Sequence, residues 1–126
     1  MIPYNIESLI RALTDKTIEK RAVWGKTARP NEFKLFLDKA AVTIDLWQEE
    51  DGPIADFSIY NKFGDKIDNY TLSKGEHQFD LIFELHNAAK REFYKVDETI
   101  NSLIDEIRAD RSIGKREIDP TDDLPF

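Results

Sequence analysis

The chain has 126 residues, no cysteine and a net charge of −7. Its length predicts one compact domain over residues 1–109, followed by a mobile tail over residues 110–126. No apolar run is long enough for a transmembrane helix, and the first residues lack the pattern of a secretion signal. Because cysteine is absent, disulfides, thiolate nucleophiles and cysteine-based metal sites are excluded, and we expect a cytoplasmic protein.

Charge is unevenly distributed along the chain. Eight basic and five acidic side chains give residues 1–40 a net charge of +3, whereas seven basic and fifteen acidic side chains give residues 41–109 a net charge of −8. An acidic body is a poor platform for duplex DNA, because contacts to phosphate supply most of the non-specific affinity. The same surface suits a basic protein partner, although solubility alone also explains a negative charge.

The first predicted element is a helix that begins near Asn5, a residue type that commonly caps helix N-termini. Apolar side chains then recur at the spacing of one buried helix face, at Ile6, Leu9, Ile10 and Leu13. The helix is expected to end before Trp24.

Four segments with alternating apolar and polar residues follow, and they predict four strands at residues 32–38, 42–47, 54–60 and 66–72. Within the third segment, Phe57 is expected to face the core. Gly64 occupies a turn position that favours positive φ, and the short connections favour an antiparallel meander.

A long C-terminal helix is predicted between Gly75 and Ser112. Apolar or small residues recur there with alternating spacings of three and four, at Phe79, Ile82, His86, Ala89, Phe93, Val96, Ile100, Leu103 and Ile107. Such a helix would be about 50 Å long, more than twice the length of a seven-residue strand, so the sheet can cover only part of it. The remaining seam, Val96, Ile100, Leu103 and Ile107, packs either on the first helix or on a second copy in a homodimer. The predicted fold class is therefore α+β.

Residues that carry chemistry are few. His77, Asp80 and Glu84 share a predicted helix face, but a solvated polar face explains them better than a metal site. His86 lies on the apolar seam and is expected to be buried with a hydrogen-bonded ring rather than to act as a base. No phosphate-binding loop or nucleophile–base pattern is present. We therefore expect a protein without enzyme activity, metal or cofactor.

The basic N-terminal third interleaves cations with aromatic rings. Its candidate nucleic-acid-binding residues are Lys20, Arg21, Trp24, Lys26, Arg29, Lys34 and Phe36. Bases stack on aromatic rings while cations contact phosphates, so such a surface suits single-stranded nucleic acid. In the alternative interpretation the rings belong to the core and the cations to solvated faces.

The last five residues are Asp122, Asp123, Leu124, Pro125 and Phe126. Phe126 would offer its ring and a terminal carboxylate to one pocket, and Pro125 would lower the entropy lost on docking. This ending resembles the C-terminal tip of bacterial single-stranded-DNA-binding proteins, an acidic run followed by an aliphatic residue, proline and phenylalanine. The resemblance implies that these five residues dock replication, recombination and repair enzymes. Leu124 stands where isoleucine is commoner, and the body does not resemble that family's OB-fold.

The sequence thus predicts a non-enzymatic adaptor of DNA metabolism that docks partner enzymes through its tail, with single-stranded DNA as a further ligand. The alternative is an acidic inhibitor or immunity-type protein that binds a basic protein. In that case Glu49, Glu50 and Asp51 would contribute to the interface.

Overall fold

The computed structural model describes residues 2–116 of the chain. The chain divides into two units, Met1–Val96 and Asp97–Phe126. Within residues 2–116, none of the helices has the length and apolar character needed to cross a membrane.

The first unit is built from two helices and a five-stranded antiparallel sheet. In chain order its elements are α1 (Tyr4–Ile18), β1 (Gly25–Lys26), β2 (Phe33–Phe36), β3 (Ala40–Glu49), β4 (Gly52–Asn61), β5 (Lys66–Ser73) and α2 (Phe79–Phe93). The strands lie in sequential order across the sheet, which confirms the α+β class and the antiparallel meander. The predicted number of four strands is wrong, because β1 is too short to show an alternating pattern.

Helix α1 buries the expected face but begins earlier than predicted. Its buried residues are Ile6, Ile10, Leu13 and Thr17. Pro3, with extended backbone, occupies the N-cap position and its carbonyl accepts the first helical hydrogen bond from Glu7. Asn5 therefore lies inside the first turn and is not the cap.

The core lies between the two helices and one face of the sheet. Its fully buried large side chains include Phe33, Ile44 and Phe57 from the sheet and Ile82 and Leu85 from α2. Helix α1 packs against α2, and α2 contacts the three strands β2, β3 and β4. The inward orientation of Phe57 and the positive φ of 89° at Gly64 confirm both predictions for the β4 and β5 hairpin.

A bulge interrupts the pairing of β4 with β5. Ile59 pairs with Asp68, but the next residue, Tyr60, pairs with Lys66, so Ile67 has no partner in the ladder. Paired residues lie on the same face of an antiparallel sheet. The bulge therefore places Lys66 beside Tyr60 on the face opposite to the core.

The single long C-terminal helix is a wrong prediction. Helix α2 ends at Phe93 and a separate helix, α3 (Val96–Arg108), follows, with Lys95 in a left-handed conformation at φ 53°. The rings of Phe93 and Tyr94 pack on Phe33 at centroid distances of 5.5 and 6.0 Å. These contacts hold the end of α2 on the core, at the point where the regular spacing alone predicts a continuing helix.

Candidate nucleic-acid interface

Trp24 does not belong to an exposed binding surface. Its side chain is only 4% exposed, and its indole Nε1 donates a hydrogen bond to Thr17 Oγ1 at 3.0 Å. A ring enclosed in this way offers no face to a base. The prediction that Trp24 binds nucleic acid is therefore corrected, and the alternative interpretation of this ring as core holds. The sequence did contain an indication of this role: Thr17 follows Leu13 by four residues on the buried face of α1 and offers the Trp24 indole a polar partner inside the core.

Two of the predicted cations are held by local contacts in the loop before β2. Lys26 Nζ donates to the carbonyl oxygens of Thr27 and Arg29. Arg29 Nε donates to Asp45 Oδ2 at 2.6 Å, and its guanidinium lies 5.6 Å from the centroid of the Trp47 ring. The hydrogen bond and charge of Asp45 raise the pKa of Arg29 above its ordinary value. Both cations organise this loop.

Lys20 and Arg21 lie at the C-terminal end of α1, where both are exposed. Lys20 Nζ is 3.7 Å from Glu92 Oε2, a buried carboxylate that also accepts a hydrogen bond from Lys95 Nζ at 2.5 Å. Lys20 therefore balances a buried charge on α2. Of the predicted set, Lys34 and Phe36 are the two residues that the fold brings together on the outer face of the sheet.

Four residues on that face form what we term the cation–aromatic cluster, Lys34, Phe36, Tyr60 and Lys66. Lys34 Nζ lies 4.8 Å from the centroid of the Phe36 ring and 5.0 Å from that of Tyr60, so one ammonium contacts both rings. Lys66 Nζ lies 5.8 Å from the Tyr60 centroid. The Phe36 side chain is 74% exposed, which leaves most of its surface open to a ligand.

Strand register explains why these residues meet. Phe36 pairs with Ala41 on β3, and Ala41 pairs in turn with Tyr60, which pairs with Lys66. The small side chain of Ala41 thus separates the two rings, which lie on strands about 10 Å apart. Lys34 sits one pleat away, two residues before Phe36 on the same face. The result is a cation between two rings on an open strand surface.

The row of residues next to the cluster contains an unpaired hydroxyl. Thr43 pairs with Lys34 on one side and with Ser58 on the other. Within residues 2–116, Thr43 Oγ1 is the buried side-chain atom that lacks a hydrogen-bond partner. Leaving such a group unsatisfied costs about 1–3 kcal/mol, and native proteins contain few of them. The unpaired hydroxyl belongs to the residue that pairs with Lys34 across the ladder.

Carboxylates occupy the middle of the outer face. Asp56 accepts hydrogen bonds from Ser58 Oγ at 3.1 Å, from Asn69 Nδ2 at 2.8 Å and from Thr71 Oγ1 at 2.5 Å. Asp45 pairs with Asp56 across the ladder. The outer face therefore carries cations and rings near the turn between β4 and β5 and two carboxylates at mid-sheet, where Asp45 is paired with Arg29. An anionic ligand is attracted to the cluster and repelled by the Asp56 carboxylate.

The turn between β4 and β5 extends the basic, aromatic end of the sheet. Phe63 at this turn is exposed, and Lys62 Nζ lies 5.3 Å from its ring centroid. None of Tyr60, Lys62, Phe63 and Lys66 was among the predicted binding residues. The sequence feature that could have identified them is the pair Lys62 and Lys66 on either side of Gly64, directly after Tyr60 near the end of β4.

His86 is buried with a hydrogen-bonded ring, as predicted, whereas His77 precedes α2 and does not share a helix face with Asp80 and Glu84. The Nε2 atom of His86 lies 2.6 Å from the carbonyl oxygen of Asn31. Burial is the main cause that lowers the pKa of His86 below its ordinary value. Residues 2–116 contain no group of three or more His, Asp or Glu side chains placed to hold a metal ion.

The remaining predicted sites are the tail residues and the seam that begins at Val96. The docking residues Asp122, Asp123, Leu124, Pro125 and Phe126 fall outside the described residues. On α3, the side chains of Ile100, Leu103 and Ile107 are 43–60% exposed, and none of the residues of this helix is buried. Val96, the first residue of the predicted seam, is half-buried.

The cation–aromatic cluster can stack planar rings and neutralise anions. The Lys34 ammonium lies over the Phe36 ring, and because Phe36 is 74% exposed, ring surface stays accessible to a second flat group. Comparisons of the chain with protein-family models, with curated proteins and with solved structures find no match.

Proposed function

We propose that this protein is a non-enzymatic adaptor of DNA metabolism that binds single-stranded DNA through the cation–aromatic cluster. Its tail would recruit partner enzymes. The observation that carries the DNA-binding part is the position of Lys34 between the exposed ring of Phe36 and the ring of Tyr60.

The chemistry favours a single strand over a duplex. In a single strand the base faces are available to stack on Phe36 and Tyr60, whereas a duplex buries them against each other. Lys34 and Lys66 are then placed to contact phosphates next to the stacked bases. The net charge of −7 opposes extended binding along a duplex, where phosphate contacts dominate the affinity.

The small number of cations predicts a modest salt dependence. Two lysine–phosphate contacts give a slope of about −1.4 for the logarithm of the association constant against the logarithm of salt concentration. A much steeper slope would indicate binding spread over other basic residues. A slope of zero would indicate that phosphates are not contacted.

A fluorescence anisotropy titration with a labelled oligothymidylate tests the DNA-binding proposal. We expect binding at low salt by the wild-type chain and loss of binding by the double variant K34A/K66A. The matched control is K74A/K90A, which removes two exposed lysines outside the cluster. The proposal is rejected if wild-type protein gives no anisotropy change, or if both double variants lose binding equally.

Support for the recruiting role is the resemblance of Asp122–Phe126 to the tip of bacterial single-stranded-DNA-binding proteins. The test is a pull-down with an exonuclease or helicase that accepts such tips. Wild-type protein and the control T121A should retain the enzyme, and F126A should release it. Equal retention by wild type and F126A would remove this part of the proposal.

The apolar stripe of α3 supports a second copy as a further partner. Its spacing of four, three and four residues is that of paired helices, and its side chains are exposed in the described chain. We propose that Val96, Ile100, Leu103 and Ile107 form a homodimer seam. Pairing would remove this apolar surface from water, which is the driving force for such association.

A further inference from the structure

An apolar groove separates α1 from the free edge of β2. Its volume is about 430 Å³, within the range of about 300–1,000 Å³ that is typical of ligand pockets. Leu9 and Leu13 line it from the helix, Leu35 and Leu37 from the strand and its end, and Val23 from the connecting segment. The groove lies entirely within the first unit.

The groove is open because the sheet lacks a neighbouring strand at this point. Strand β1 pairs only with Phe33 and Lys34, so the following residues of β2 have no partner on that side. Trp24 would be the next residue to pair with β2, but its side chain is buried and donates a hydrogen bond to Thr17. The segment before it diverges from β2 and leaves the space between them unfilled.

Exposed apolar side chains gather at the mouth of the groove. Val23 is 88% exposed, and Phe36 and Leu37 beside it are also exposed. Single exposed apolar residues are ordinary, but several around one concave surface mark a binding site. The occupant must therefore bring apolar side chains of its own.

Two cations line the same groove. Lys16 and Arg21 are both exposed, and a hydrogen bond from the Arg21 backbone N–H to the Lys16 carbonyl oxygen, at 3.0 Å, holds the two residues close. Within the described residues, neither forms an ion pair with an acidic side chain. The occupant should accordingly be acidic as well as apolar.

We infer that this groove binds the segment 119–126 of a second copy of the chain. That segment joins Asp119, Asp122 and Asp123 to the apolar residues Leu124 and Phe126, with Pro125 between them. The apolar residues match the groove lining, and the carboxylates match Lys16 and Arg21. A proline next to the anchoring side chains lowers the entropy lost on docking.

This inference does not require DNA binding. It shares the tail with the proposed recruiting role but names a different receptor, the groove of this chain. A peptide assay on the groove and a pull-down of an enzyme therefore fail or succeed separately.

The experiment measures anisotropy of a labelled peptide with the sequence of residues 117–126. Its receptor is the full-length variant L124A/F126A, whose own tail cannot compete. We expect saturable binding, and loss of it when the peptide itself carries L124A/F126A.

Groove variants of the same receptor locate the site. V23D places a charge among the apolar contacts, and R21E reverses one cation; each should weaken binding by about tenfold or more. The control is I18D, which introduces the same change at an exposed aliphatic residue of α1 that does not line the groove. Thermal melts by circular dichroism should agree between V23D and I18D, because both residues are exposed.

Two results would overturn the inference. One is the absence of peptide binding by the L124A/F126A receptor. The other is equal loss of binding in V23D and I18D, which would place the contact elsewhere on the chain.

Discussion

Replacing Phe36 with alanine tests the cation–aromatic cluster with little damage to the fold. Full burial of a phenylalanine side chain contributes about 1.5–3 kcal/mol. Because Phe36 is 74% exposed, its burial contributes only about a quarter of that, or about 0.4–0.8 kcal/mol. Loss of the exposed cation–π contact with Lys34 adds about 0.5–1 kcal/mol. We therefore expect F36A to lower the free energy of unfolding by about 1–2 kcal/mol.

The effect on DNA binding should be larger than this stability loss suggests. Stacking of one base on an aromatic ring contributes about 1–3 kcal/mol. Loss of the Phe36 ring should therefore weaken binding of oligothymidylate by about 5- to 150-fold. Lys34 and Lys66 remain in F36A, so the salt dependence of the residual binding should stay close to that of wild type.

The assay pairs urea unfolding with an anisotropy titration on the same samples. The control is Y4A, which removes another exposed aromatic ring at the start of α1, away from the sheet. F36A should lose affinity while Y4A keeps it. Wild-type affinity in F36A would refute stacking on this ring, and equal losses in F36A and Y4A would show that any exposed ring contributes.

Three further variants test the core, the buried histidine and the α3 stripe. T17V should lower the free energy of unfolding by about 1–3 kcal/mol in urea titrations, because the Trp24 indole loses its acceptor. The control T14V removes only a hydroxyl that is hydrogen-bonded to the helix backbone, so it should lower the free energy of unfolding less. Equal losses in the two variants would contradict the role of Trp24. The lowered pKa of His86 means that the unfolded chain binds a proton more readily, so this residue's contribution is present above its ordinary pKa of 6.5 and is lost as the pH falls below it. H86Q should flatten the acid side of a stability–pH profile from urea unfolding, and an unchanged slope would assign it to other groups. L103D should convert a sedimenting dimer to a monomer while S102D on the same helix does not; a wild-type monomer at all concentrations would remove the seam.

Much of the fold follows from periodicity because the core faces are regular. The buried face of α1 and the alternation in β3 and β4 are both visible in the chain. The break at Lys95 is not visible, because two consecutive helices satisfy the same three-and-four spacing as one. Lysine also does not break helices by itself. The left-handed turn occurs where Phe93 and Tyr94 contact Phe33, a residue distant in sequence.

The candidate site was half predictable for a similar reason. Lys34 and Phe36 lie two residues apart on one strand, so their common face can be inferred from alternation. Tyr60 and Lys66 reach them only through the register of three strand pairs and a bulge, which alternation alone does not reveal. Trp24 is aromatic like Phe36, but it is buried in the core with its indole hydrogen-bonded to Thr17, whereas Phe36 is exposed.

The irregular pairing of Tyr60 with Lys66 lets β5 place a lysine on the outer face at its start and still pack Leu72 into the core near its end. In an uninterrupted ladder Lys66 would share the orientation of Asp68, Tyr70 and Leu72, the side of the strand that meets the hydrophobic interior. The extra residue, Ile67, reverses the alternation of side chains only at the start of β5, next to the turn. The end of the hairpin thus presents a lysine on the outer face, while the alternation that packs the rest of the strand stays intact.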